Sequence, residues 1–333
     1  MDLHSPARYF PIDKGIYEVA PGLKSLGTPM GNGAADSKIF QFDDEFPIYR
    51  ANKLAGRQER LSKYFVQENY STEVSSAVNR FLLHKLCEES PTYFQWKQTS
   101  SGGILHCSLT QEKLDLDSAY ELKSSSGVQY ACALDALCSQ VQEDLAICSK
   151  DGDGRDWLSA LHLFSPSHWA AEDKIGKSFF QVHAPIPGID KLNRSASALV
   201  DAMIYKGPYV RFVWGFGTDR RLNHHPHSPP GWDADEWKGR SFRPEAVDEG
   251  RSPFILRYER QVIHGLPEVH AAVFAIRVYF TDGDEIRRNP RERALLRSGL
   301  LSMTPESRAY KGLTQSLDQV VSWLDAVELE AIK

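Results

Sequence analysis

FILRYERQVIHGLPEVHAAVFAIRVYF, Phe254–Phe280, decides the fold of this chain. Its two ends, Phe254–Ile263 and Ala271–Phe280, are rich in β-branched and aromatic side chains, the composition of strands. Only His264–His270 lies between them, with Gly265 and Pro267 in it, so the pair reads as an antiparallel hairpin. In the first strand Phe254, Leu256, Tyr258, Arg260 and Val262 share one face, and Ile255, Arg257, Glu259, Gln261 and Ile263 share the other. Arg260 on an otherwise apolar face costs free energy unless something matches its charge. An ion pair with an acidic side chain would do so, and so would an anionic ligand in a pocket.

Working outward, Tyr209–Phe216 (YVRFVWGF) is a third strand. The polar, proline-rich stretch Thr218–Ser252 that follows is long enough to imply a covering or functional loop. Residues 1–45 are rich in Pro, Gly and Asp and read as an irregular arm, and 45–70 as helical. From Thr72, a candidate N-cap, Val74, Val78, Phe81, Leu82 and Leu86 recur at helical spacing. Tyr93–Trp96 and Gly103–Leu109 read as short strands. Asp135–Cys148 sets Leu137, Val141 and Leu145 on one face and predicts a helix. The turn Asp151–Gly154 lacks the acidic twelfth residue of a calcium loop, where His162 stands. Pro290–Ser298 and Pro305 to about Ala331 read as closing helices. This order predicts an α+β protein, with an arm and helix over 1–70, a core over 71–285 and C-terminal helices over 286–333.

Composition excludes several classes. The 333 residues carry 39 basic and 44 acidic side chains, a net charge of −5, so there is no electrostatic footprint for nucleic acid. The short basic clusters (Arg220-Arg221, Arg287-Arg288, Arg291, Arg293) alternate with acids and read as solvated faces. The opening MDLHSPARYFPIDKG lacks the pattern of a secretory signal, and no apolar run suits a membrane helix. Five irregularly spaced cysteines without a CxxC predict reduced thiols in a cytoplasmic protein.

The stretch PSHWAAEDKIGKSFFQVHAPIPG, Pro166–Gly188, is the most informative for chemistry. His183 ends an amphipathic turn and is followed by Ala-Pro-Ile-Pro, whose prolines stiffen its exit. Such a histidine suits a single axial metal ligand; a buried histidine satisfied by a backbone carbonyl is the plain alternative. The histidines of NHHPHSPP (Asn223–Pro230) are less suited, since neighbours on an extended loop do not converge on one ion. No nucleophile elbow, Walker, GxGxxG or HExxH motif is present.

Five segments occur in order: VQEDLAIC (Val141–Cys148), SPSHWAAEDKIGKSFFQVHAPIPG (Ser165–Gly188), RYERQVIHGLP (Arg257–Pro267), AVFAIRVYF (Ala272–Phe280) and YKGL (Tyr310–Leu313). Together with Tyr17–Leu23 they resemble the haem-dependent oxidative N-demethylase family, whose pattern runs Pro-Ser-x-Trp, Lys-x-Gly, Ile-His-x-Pro-Val-Pro and Glu-Arg-Gln-Thr. The resemblance implies a PAS-like core, an antiparallel sheet with short helices enclosing a b-type haem. It makes His183 the iron ligand, with His168 as runner-up, Phe180 beside the porphyrin, and Lys174, Lys177 and Arg257 around the cofactor.

The resemblance further implies oxidation of a small amine by dioxygen, giving an imine that hydrolyses to formaldehyde and a shorter amine. Arg260, Glu259, Tyr258 and Trp214 are the candidate catalytic residues, with Arg211 on the neighbouring strand. The chain has no flavin or iron–sulfur motif of its own, so a separate reductase carrying such centres is implied. A haem-based gas-sensing or ligand-binding module is the other reading of the same scaffold, disfavoured because no output domain is evident. Two departures bear on the substrate: Val262 replaces the family's Thr, and Val213-Trp214 replaces an Asn-Trp pair. They point away from dimethylamine, toward a larger amine or another small organic molecule.

Overall fold

A computed structural model describes residues 3–189, 195–232, 242–247 and 249–326. In chain order the elements are β1 (Lys24–Ser25), α1 (Phe46–Tyr64), β2 (Phe65–Gln67), α2 (Thr72–Glu89), β3 (Phe94–Thr99), β4 (Gly102–Cys107), β5 (Glu112–Asp117) and β6 (Leu122–Ser125). Then come α3 (Ala133–Cys138), β7 (Asp144–Lys150), β8 (Asp156–His162), α4 (Phe179–His183), α5 (Ala196–Tyr205), β9 (Tyr209–Gly217), β10 (Ile255–Leu266) and β11 (Ala271–Asp282). Helices α6 (Gly283–Arg288), α7 (Pro290–Leu301), α8 (Pro305–Tyr310) and α9 (Leu317–Asp325) follow.

The protein is α+β. Its larger sheet has seven strands in the order β1-β9-β10-β11-β7-β8-β2, and β3 to β6 form a second, four-stranded sheet. The pairings between these strands are antiparallel. The five central strands therefore lie as β8-β7-β11-β10-β9, an open sheet compatible with a PAS-like fold. The long hairpin β10–β11 is its spine, with Tyr258 opposite Tyr279 and Arg260 opposite Arg277. From the N-terminal segment, β2 adds an edge strand against β8.

One face of the large sheet is covered twice over. Val210, Val262 and Val273 pack with α2, α3 and the second sheet, while Leu256, Tyr258 and Tyr279 pack with Tyr9 and Ile12 of the arm and Leu296, Leu300 and Leu317 of the C-terminal helices. Facing Arg260 and Arg277 would repel one another if left bare. The arm separates their roles: Arg277 donates to Asp43 Oδ2 at 2.8 Å and lies over the Tyr49 ring at 3.9 Å. Arg260 donates to the carbonyl of Lys38 at 2.7 Å, with those of Asp36 and Ile39 at 3.5 Å. Buried Lys53 completes this polar layer, donating to the carbonyls of Cys138, Val141 and Glu143 at 2.6–2.9 Å.

The helix predicted over Asp135–Cys148 is corrected: α3 ends at Cys138 and Asp144 opens strand β7. Every residue from Ala133 to Ser149 is buried, so the run has no polar face by which its period could be judged. The cap of α2 is Ser71, whose hydroxyl accepts from Val74 N, one residue before the expected Thr72. The last predicted helix is two, because Gly312 takes a left-handed φ of 72° between α8 and α9; its end beyond residue 326 lies outside the described residues. So do residues 233–241 and 248 of the long loop.

Candidate functional site

The second face of the large sheet is only partly covered. Helices α4 and α5 pack there through Phe179, Val200, Met203 and Ile204 against Ile263 and Ala272. Beside them a groove of about 650 Å³ opens between the Ser167–Ile186 segment and strands β9 and β10. Alternation brings Arg211, Val213 and Gly215 of β9 to its floor together with Gln261, Glu259 and Arg257, their register partners on β10. Gly215 keeps the floor flat, since a β-carbon there would meet nothing within 4 Å.

His183 lies on the opposite wall because α4 is fixed at its start. Ser178 Oγ accepts from Gln181 N and Gln181 Oε1 accepts from Ser178 N, a reciprocal cap. Phe179 N donates to Asp156 Oδ2 at 2.6 Å. The Nδ1 of His183 is 2.7 Å from the Phe179 carbonyl oxygen. A carbonyl can only accept, so the proton sits on Nδ1 and Nε2 carries the lone pair. Burial, with the charges of Arg211 and Lys174 nearby, pushes the imidazole down to about 4, so the ring is neutral at pH 7. The carbonyl bond weighed as the plain alternative is therefore present, and it uses one of the two ring nitrogens.

Arg257 anchors the near end of the groove. Its guanidinium donates to Ser167 Oγ and to the carbonyls of Ser165, Arg221 and Leu222 at 2.8 Å, and to that of Pro166 at 3.3 Å. It therefore clamps two loops to the sheet. Ser167 Oγ in turn donates to Glu259 Oε1 at 2.9 Å, and Gln261 Nε2 donates to Oε2 at 2.8 Å. Glu259 is 9 % exposed, and both its oxygens are held by neutral groups.

Of the residues predicted from sequence, His183, His168, Lys174, Lys177, Arg211, Glu259, Arg257 and Trp214 border the groove. Arg260 and Tyr258 do not. They lie on the covered face, where Arg260 meets carbonyl oxygens of the arm in place of either an acid or a ligand, and Tyr258 stacks on Tyr279 at 5.5 Å. Val262 is buried on that face too, so the Thr-to-Val departure does not touch the groove, whereas Val213 does. Phe180 is 47 % exposed and outside the groove lining. Trp214 sits at the rim, where Lys311 donates to its carbonyl and lies 5.4 Å from its ring. Ser167, Gln261 and Lys311 were not singled out from sequence. Alternation put Gln261 beside Glu259, and the YKGL segment carried Lys311, but only the fold joins them.

His168 has a left-handed φ of 64° and its ring stacks on that of His224 at 5.0 Å. His224 Nε2 is 3.1 Å from Asp219 Oδ1, and His225 Nε2 is 3.3 Å from Glu172 Oε2, so the adjacent histidines diverge to separate carboxylates. Among the described residues no group of three or more His, Cys, Asp and Glu could hold a metal ion, and no helix is long and apolar enough to cross a membrane. All five cysteines are free thiols.

Comparison with known families agrees with the sequence resemblance. Residues 32–321 match the family described as haem-dependent oxidative N-demethylase, alpha subunit-like, and the chain belongs to it. At the level of the family that description carries haem dependence and an oxidative, demethylase-like activity.

Proposed function

With that membership as premise, we propose that the chain is a haem-dependent oxygenase, an oxidative demethylase acting on a small amine or related organic substrate. Dioxygen and a separate reductase with flavin and iron–sulfur centres would complete the system. The observation that carries this reading is His183, a neutral imidazole at a groove wall with Nδ1 committed to the Phe179 carbonyl and Nε2 left to ligate.

The residues of the groove fit a b-type haem. Val182, Pro185 and Ile186 give an apolar wall beside His183, and Lys174 and Lys177 at the rim offer counter-charges for two carboxylates. Bound there, haem would supply the electron-transfer and dioxygen chemistry that no amino-acid side chain provides.

Oxidising an N-methylamine to its imine releases two electrons and two protons. Dioxygen, with two further electrons from the reductase and two further protons from solvent, accepts them and ends as two molecules of water, and hydrolysis of the imine gives formaldehyde and the shorter amine. Glu259 would hold the amine N–H and take one of those protons. Ser167 and Gln261 fix its orientation, and Arg257 fixes Ser167. The free thiols suit a reducing, cytoplasmic setting.

The test is the visible spectrum of the purified chain with haem, oxidised and then reduced under carbon monoxide, followed by an assay for formaldehyde. A Soret band that shifts on reduction and on carbon monoxide supports the reading. A featureless spectrum after haem addition overturns it.

A further inference from the structure

Two opposite charges share the groove floor without meeting. Arg211 stands opposite Gln261 and Val213 opposite Glu259, so Arg211 and Glu259 are diagonal neighbours on one face. Such positions lie roughly 7–8 Å apart, within reach of long side chains. Yet among the described residues neither has an ion-pair partner, and the buried Nε of Arg211 has no hydrogen bond at all. Burial lowers the Arg211 pKa, with the Glu259 charge opposing it. Glu259 keeps acceptor capacity beyond its bonds to Ser167 and Gln261.

A half-buried guanidinium whose buried Nε has no hydrogen bond, beside a buried carboxylate held only by neutral donors, is costly unless a ligand completes both. We infer that the groove takes a zwitterion, an N-methylated amino acid whose ammonium rests on Glu259 and whose carboxylate rests on Arg211. A simple dialkylamine would match Glu259 and leave Arg211 bare. A simple carboxylate would do the reverse. Lys174 and Lys177, which also line the groove, are the cations that the cofactor's own acids would take, leaving Arg211 for the ligand. Val213, next to both charges, supplies apolar surface for the carbon skeleton between them. This inference rests on the amine-oxidising reading above and narrows its substrate class.

Calorimetric titration of the chain with N-methylglycine, dimethylamine and acetate tests it, with and without haem, while the Soret band reports haem separately. N-methylglycine is expected to bind at least roughly tenfold more tightly than either half-ligand. Arg211→Gln is expected to bring N-methylglycine down to the affinity of dimethylamine, and Glu259→Gln to that of acetate. The ranking of the three probes on the unaltered chain needs no variant to fold. Dimethylamine binding as tightly as N-methylglycine would overturn the inference, and so would loss of haem in Arg211→Gln, which would assign the guanidinium to the cofactor. A chain that ranks the probes as expected yet takes no haem keeps the zwitterion site and loses the demethylase reading.

Discussion

His183 is tied through Nδ1 to the carbonyl oxygen of Phe179, four residues back, at 2.7 Å. That bond fixes the tautomer and aims one ring nitrogen, the arrangement by which a protein orients a histidine ligand. His183→Ala is expected to abolish the Soret band of the haem-loaded protein. The fold should survive, since the reciprocal cap at Ser178 and the Phe179–Asp156 bond lie outside the substitution. Circular dichroism beside the visible spectrum separates the two. An unchanged band would move the ligand to His168 or elsewhere.

Arg257 acts through geometry that lysine cannot copy. Its planar fork serves four carbonyls and one hydroxyl in two loops, whereas an ammonium offers three donors from one point. Arg257→Lys is expected to cost about 2–4 kcal/mol of stability, through buried carbonyls left unmatched. Denaturant unfolding measures this. Because Ser167, which holds Glu259, loses its anchor to Arg257, KM for an amine should also rise more than kcat falls; a variant with wild-type stability and KM would refute the clamp.

His162 makes a pH prediction. It is fully buried between the rings of Phe65 and Phe164, and its Nε2 stands 3.3 Å from Asp135 Oδ1 without the alignment of a hydrogen bond. Burial pushes its pKa down to about 4, against the pull of Asp135, with Lys53 and Arg57 adding to the depression. As pH falls from about 6.5 toward 4, the unfolded chain takes a proton that the folded chain refuses, and stability drops by up to about 3 kcal/mol. Above pH 6.5 the contribution is fully present. His162→Leu should flatten this part of the stability profile, read from melting temperatures across that range. An unchanged acid limb would show that other groups set it.

Much of this was legible in the sequence, for identifiable reasons. The hairpin β10–β11 could be read because its strands are long, β-rich and joined by the short connection Pro267–His270. Alternation separated Glu259 from Arg260 correctly but could not say which face met the groove. That choice is made by residues far away in sequence: Asp36, Lys38 and Ile39 take Arg260, and Ser165 to Ser167 take Arg257. Strand β7 was misread because a segment buried on every side has no polar period to betray it. Ser167 was invisible as a site residue, since its role exists only between two charged neighbours on another strand.

Neighbouring residues on β10 give the sharpest test of the sheet's two faces. Arg260 is buried under the arm, with its bonds to main-chain oxygen, so Arg260→Met should loosen the arm and cost about 1–3 kcal/mol. Its haem spectrum and amine binding should match the unaltered protein. Glu259, one residue back, points the other way, into the groove. Glu259→Gln keeps the shape and the acceptor for Ser167 while removing the charge, so melting should shift little and amine affinity should fall roughly tenfold or more. Thermal unfolding and ligand titration on both variants give four readings that must cross over. If Arg260→Met lost amine binding while Glu259→Gln kept it, the groove would have to lie on the face now covered by the arm.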